Sequence, residues 1–275
     1  MTVAWVVLED GLVLEARGVA APGTALGEMV FTTGMTGYQE AVTDPSYMGQ
    51  ILCFTAPMVG NYGAGPGHDE SDRPWPDAVI MSRAGDAAGT GGPVGWRTWL
   101  RERGVVSTEL GPEELLARVR AHPVLDGRDL ASQAAGAPRT LGEDGPRVVA
   151  IDCGMKESIA AGLAGAGCRL DVVPAGTTAA EVLARGPDAV FVSNGPGDPA
   201  AVTPVIGTVR DLIGELPVFG ICLGHQMLAQ ALGLSTRKLA FGHRGANHPV
   251  RREDDHRVEI TVQNHGYAVV ADDLP

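Results

Sequence analysis

Short apolar runs bounded by turn-forming residues dominate the first part of the chain. A-W-V-V-L-E at 4–9 and L-V-L-E-A-R-G-V-A at 12–20 flank Asp10-Gly11, a dipeptide that tolerates the positive φ of a tight turn, so the pattern predicts a β-hairpin. Further strands are expected over 27–33, 49–57 and 77–83, where Val, Ile, Phe and Met cluster between Gly- and Pro-containing breaks. The stretch T-G-Y-Q-E-A-V-T-D-P-S-Y-M-G at 36–49 reads as a polar, turn-rich connection. Helical spacing follows over 94–104 and over 111–123, where Pro112 suits a first turn and Pro123 a stop. The first half is therefore expected to be β-rich with a few helices.

Between Asp129 and Arg147 the apolar periodicity lapses among Gly, Pro and Ala. The expected organisation is an N-terminal domain over 1–136, a linker over 137–146 and a second domain over 147–275. From Arg147 onward, short buried-strand patterns (147–152, 168–174, 188–192, 217–221) alternate with helical ones over short loops. That alternation predicts an α/β fold with a doubly wound, mostly parallel sheet, whose ligands gather beyond the carboxyl ends of the strands.

Composition narrows the class. With 44% apolar and 20% charged residues over 275 positions, and Gly 38 plus Pro 19 below low-complexity levels, the chain reads as globular, in about two domains. Twenty-one basic against thirty-three acidic residues give a net charge of −12, which disfavours a nucleic-acid partner. No apolar run is long enough for a membrane span, and the N-terminus lacks a secretory pattern, so a cytoplasmic protein with no membrane partner is expected. Four widely spaced cysteines, with no C-x-x-C pair, are read as reduced thiols, and no metal site is expected.

One cysteine stands in a chemical context. G-I-C-L-G at 220–224 joins a strand pattern to a helical one, the arrangement of a nucleophile elbow. Its two glycines permit close backbone approach, and the turn lifts the Cys222 side chain above the sheet. At a helix N-terminus the thiolate is favoured by exposed N–H groups, and the N–H of Leu223 is placed to face an oxyanion. A second loop, S-N-G-P-G-D-P at 193–199, follows another strand and offers backbone N–H groups; its spacing is not that of a phosphate loop.

Together, F-G-I-C-L-G-H-Q at 219–226 and S-N-G-P-G-D-P at 193–199 resemble the class I glutamine amidotransferases. F-G-H-R-G-A-N-H-P-V at 241–250 and Q-N-H-G-Y-A-V at 263–269 narrow the resemblance to the small subunit of carbamoyl-phosphate synthase. In the first half, L-E-D-G at 8–11, T-G-M-T-G-Y-Q-E at 33–40, T-D-P-S-Y at 43–47 and G-N-Y-G at 60–63 resemble that subunit's N-terminal domain. The resemblance implies that Cys222 attacks the side-chain amide of L-glutamine. It places glutamine-binding positions on Ser46, Gly195, Gly197, Leu223, Gln226, Asn264, Gly266 and Tyr267, the last commonly Phe in the family. It also implies a large partner subunit that carries ATP and Mg and makes carbamoyl phosphate for pyrimidine and arginine biosynthesis, with no cofactor in this chain.

The sequence departs from the family pattern twice. The family's base and orienting acid come from a G-H-P-E-like motif downstream of Q-N-H-G, which the sequence to Pro275 does not contain, and none of the seven histidines is read as the base. His225 lies one helical turn beyond Cys222, without a visible acid to hold it. In addition, R-E-R-G-V-V at 101–106 runs almost directly into S-T-E-L-G at 107–111, where relatives carry an intervening stretch with Asp-Thr-Arg. The competing reading is a catalytically silent module that binds glutamine or the large subunit.

Overall fold

The computed structural model describes residues 2–89, 92–107 and 112–270. The chain divides into two compact units, one of 1–125 with 244–262, the other of 126–243 with 263–275. In the first unit, β1 (Thr2–Val7) and β2 (Val13–Gly18) form the expected antiparallel hairpin, with Thr2 opposite Gly18 and Val7 opposite Val13. Gly11 sits at φ +97° in its turn, and the Leu12 N–H donates to Asp10 Oδ1 at 2.9 Å.

The rest of this unit is built on β3 (Ala21–Pro22), β4 (Glu28–Thr32), α1 (Tyr38–Val42), β5 (Gln50–Phe54), β6 (Ala78–Met81), α2 (Trp96–Glu102), β7 (Val106–Ser107) and α3 (Pro112–Ala121). The strands form a parallel sheet in the order β3-β7-β6-β5-β4. Val30, Leu52 and Phe54 pack from it into a core with Tyr38, Val42, Trp96, Trp99 and Leu100. The shortened junction after Val106 falls largely on 108–111, outside the described residues.

The second unit contains α4 (Ala131–Ala134), β8 (Arg139–Leu141), β9 (Arg147–Asp152), α5 (Glu157–Gly165), β10 (Arg169–Pro174), α6 (Ala179–Leu183), β11 (Ala189–Val192), α7 (Thr203–Leu212), β12 (Val218–Gly220) and α8 (Leu223–Ala231). The sheet order is β12-β11-β9-β10-β8, parallel except for β8 at the edge. This is the doubly wound arrangement that the alternating pattern predicts: the chain winds outward from β9 to β10, then resumes on the other side at β11. Alternation along β9 shows why the sheet is covered twice. Val149 and Ile151 face a core with Val205, Val209 and Leu212 of α7 and Leu223 and Met227 of α8. Val148 and Ala150 face the opposite core, with Ala160 of α5 and Phe191.

The expected domain boundary is displaced. The stretch 137–146 carries β8, which pairs antiparallel with β10, and the second unit already begins at Asp126. Three residues of edge strand among glycines and prolines are too short for a period-2 pattern to show. A long two-stranded sheet, β13 (Thr236–Arg251) and β14 (Val258–Val269), completes the chain. The unit boundaries cut it at His243/Arg244 and Val262/Gln263.

Candidate active site

Cys222 separates β12 from α8 and has φ +54°, ψ −109°, one of two described non-glycine residues at positive φ. A side-chain-bearing residue held there costs about 1–3 kcal/mol, supplied by the surrounding packing. That packing depends on the flanking glycines. A Cβ on Gly224 would collide with the Val192 carbonyl oxygen, and one on Gly220 would run into the backbone of Gly224 and His225. Ile221 N–H reaches the Val192 carbonyl at 3.2 Å, and Gln226 N–H closes the first helical turn on the Cys222 carbonyl at 3.1 Å. The thiol is half-buried, with Sγ 3.6 Å from the Asn264 carbonyl oxygen. Leu223 begins α8 with its side chain in the core, so its N–H belongs to the helical turn whose donors have no intrahelical acceptor.

The loops after β9 and β11 are bolted to one another. Ser193 Oγ accepts from the Cys153 N–H at 2.9 Å and donates to the Asn194 carbonyl at 2.7 Å. Asn194 accepts from the Lys156 N–H at 3.2 Å and donates to the Gly154 carbonyl at 2.9 Å. Buried Asp152 accepts from the N–H groups of Gly154 and Met155, each at 2.8 Å, and from that of Gly136 at 2.9 Å. Gly195 is buried where a Cβ would strike the Cys153 carbonyl, and Gly197 is at φ +93°. Asp198 caps the following turn through Ala200 N–H and also accepts from the Gly127 N–H, both at 2.9 Å. Burial pushes the Cys153 thiol far up, with Asp152 beside it, so Cys153 is an inert core thiol, whereas Cys222 is half-buried.

The Q-N-H-G-Y segment lies on β14. Gln226, buried on α8, donates its Nε2 to the Tyr267 carbonyl at 2.6 Å. His265 Nδ1 lies 2.7 Å from the same oxygen and therefore carries the proton there; its Nε2 is 3.2 Å from His243 Nδ1. The Tyr267 hydroxyl donates to Asp126 Oδ1 at 2.6 Å, which also accepts from Lys238 Nζ at 2.8 Å. These two bonds, Lys238 first, hold the Asp126 carboxyl below the usual carboxylate range.

The second unit thus contains Cys222, Gly195, Gly197, Leu223, Gln226, Asn264, Gly266 and Tyr267, with direct contacts linking Cys222 to Asn264 and Gln226 to Tyr267. Ser46 belongs to the first unit, in the turn Pro45–Tyr47, where its N–H donates to Asp44 Oδ1 at 2.9 Å. His225 is exposed on α8. Asp126 and Lys238 are not among the residues that the sequence singles out; their partners lie 112 to 141 residues away, beyond any local signal.

Family models match both halves: carbamoyl-phosphate synthase small chain, CPSase domain, over 6–127, and glutamine amidotransferase class-I over 149–275. The carbamoyl phosphate synthase small chain of Symbiobacterium thermophilum is 44% identical over 98% of this chain and 83% of its own length. The chain belongs to the carbamoyl-phosphate synthase small-chain family. The small chains of Thermosynechococcus vestitus (44% identity, 99% of this chain, 82% of the relative) and Akkermansia muciniphila (41%, 98% and 82%) agree. The match to the Symbiobacterium small chain runs over 302 positions against 275 in the whole chain, so this family member lacks internal residues that the relative has. As in the family, it carries a class I glutamine amidotransferase domain, the glutamine-hydrolysing part of a carbamoyl-phosphate synthase.

Proposed function

We propose that this chain hydrolyses glutamine on Cys222 and supplies the ammonia to a large ATP-using subunit. The sulfur attacks the side-chain amide carbon, and the C–O π pair moves onto oxygen. The Leu223 N–H and the N–H groups of the Gly195–Gly197 loop are the donors suited to that oxyanion. Collapse expels ammonia, which carries off the proton given up by the thiol, and leaves a glutamyl thioester; water then cleaves it to glutamate and restores the thiol. Gln226, with its Nε2 committed to Tyr267, presents Oε1 as an acceptor suited to the substrate's ammonium. Asn264, Gly266 and Tyr267 line the same stretch of β14, and Ser46 joins the binding set by resemblance alone.

The observation that carries this reading is the strained, half-buried Cys222 between two glycines at which a Cβ would collide with backbone, in a chain of this family. ATP and Mg would belong to the large subunit's chemistry, and this chain's own step needs the Cys222 sulfur, water and a proton carrier in the role of the family's downstream histidine. The product is carbamoyl phosphate for pyrimidine and arginine biosynthesis, made in the cytoplasm without nucleic acid or membrane. A net charge of −12 disfavours a nucleic-acid partner, and among the described residues no helix is long and apolar enough to cross a membrane.

The test is glutamate release with and without the large subunit, and alkylation of Cys222 by iodoacetamide with and without glutamine. Expected are protection by glutamine and loss of turnover by at least about a thousandfold in Cys222→Ser. Turnover surviving that substitution, or absence of protection, defeats the proposal. Protection without turnover in the complex establishes the silent, glutamine-binding alternative instead.

A further inference from the structure

Tyr267 is gripped at both ends. Its carbonyl oxygen accepts from Gln226 Nε2 and from His265 Nδ1, and its hydroxyl donates to Asp126 Oδ1. Fixing the main chain at one end and the phenol oxygen at the other leaves the ring little rotational freedom. Lys238, on β13, donates to the same carboxylate oxygen, so Asp126 stays ionised and its bond to the phenol is charge-assisted. Three residues earlier on β14, Asn264 sets its carbonyl beside the Cys222 sulfur. An unbroken run of contacts therefore joins Asp126 to the candidate glutamine site. The hydroxyl on which it depends is absent from the phenylalanine that the resemblance leads one to expect at this position.

We propose that Asp126, braced by Lys238, is a positioning residue for glutamine binding that acts through the Tyr267 hydroxyl. The idea rests on the glutamine reading above and adds to it: this chain holds the aromatic wall of its site by a polar anchor, where a phenylalanine site must rely on packing alone. The anchor orders the Asn264–Tyr267 segment before substrate arrives, so its loss weakens substrate binding and leaves the reactivity of the sulfur in place.

The experiment labels Cys222 in the full chain with a diazo ketone analogue of glutamine, using iodoacetamide as a shape-blind control. In Tyr267→Phe, the half-saturating concentration of the analogue rises about three- to tenfold, the effect of losing one charge-assisted hydrogen bond. The labelling rate at saturation and the iodoacetamide rate both stay within about twofold, as uniform binding loss requires. Asp126→Ala gives the same rise, Asp126→Asn, which keeps an acceptor, recovers part of it, and Asp126→Ala adds nothing in a Tyr267→Phe background. An unchanged half-saturating concentration in Tyr267→Phe, or an Asp126→Ala penalty that persists without the hydroxyl, overturns the proposal.

Hydrogen exchange provides an arm independent of ligand. Amides 264–268 exchange faster in Tyr267→Phe, and unchanged protection there overturns the anchor. If the unsubstituted chain shows neither saturable labelling nor protection by glutamine, the glutamine reading itself has failed, and exchange alone decides whether the anchor exists.

Discussion

Two five-stranded sheets in this chain finish their strand ends in opposite ways. Beyond β4 and β5 of the first, Tyr38 and Tyr62 stack with centroids 4.2 Å apart, Tyr38 meets Trp96 at 4.6 Å, and Trp96 stacks on Trp99 at 5.1 Å. Tyr38 donates its hydroxyl to the Gly63 carbonyl at 2.6 Å, and burial pushes its pKa up to about 12. Beyond β9, β11 and β12 of the second sheet stand Asp152, Ser193, Asn194 and a half-buried thiol, packed among glycines. Bulk closes the first set of ends. At the second, small polar groups fix the loops through hydrogen bonds to backbone N–H and carbonyl groups. Two sheets of similar build thus serve different ends because of the residues placed after the strands.

The comparison breaks most readily at its aromatic side. Trp96→Ala is expected to lower stability by about 3–5 kcal/mol, measured by denaturant unfolding; a loss under about 1 kcal/mol means that the stack is ornamental. At the other set of ends, Gly224→Ala is expected to cost about 2–4 kcal/mol and to slow iodoacetamide labelling of Cys222, because the elbow must shift away from the Val192 carbonyl. Equal labelling in the variant breaks the link between glycine and geometry.

Smaller effects sharpen the contrast. Cys222→Gly should raise stability by about 1 kcal/mol and the melting midpoint by about 2–4 °C, since glycine adopts positive φ without strain. No rise means that the residue is not strained. The smallest effect is a pH dependence. Asp126 has its carboxyl pKa lowered, so its bonds to Lys238 and Tyr267 stabilise fully above the unfolded carboxyl pKa of about 4 and fade as pH falls through the folded value. The stability difference between the unsubstituted chain and Tyr267→Phe should accordingly be flat above about pH 5 and shrink in acid. A difference that grows in acid contradicts the assignment. The effect is small because Asp126 is half exposed and solvent screens it.

Much of the architecture was legible locally. The hairpin about Asp10-Gly11, the helices over 96–102 and 112–121, and the alternation from Arg147 to Ala231 follow their patterns closely. The elbow was legible too, because glycines two residues either side of a cysteine between strand and helix have few other uses. The edge strand β8 was not, since three residues carry no period. Nor was the long two-stranded sheet of β13 and β14, where exposed Val258, Ile260 and Val262 alternate among charged and polar residues without marking a core.

Sequence alone determined the family, the doubly wound sheet and the strand–cysteine–helix elbow at Cys222, because each rests on residues adjacent along the chain. Tertiary structure decided what Gln226, His265 and Asp126 do, since each acts on Tyr267, and for Gln226 and Asp126 that means a partner 41 and 141 residues away. Side-chain type limits which bonds a residue can form, but only the folded chain determines which acceptor comes within 3 Å.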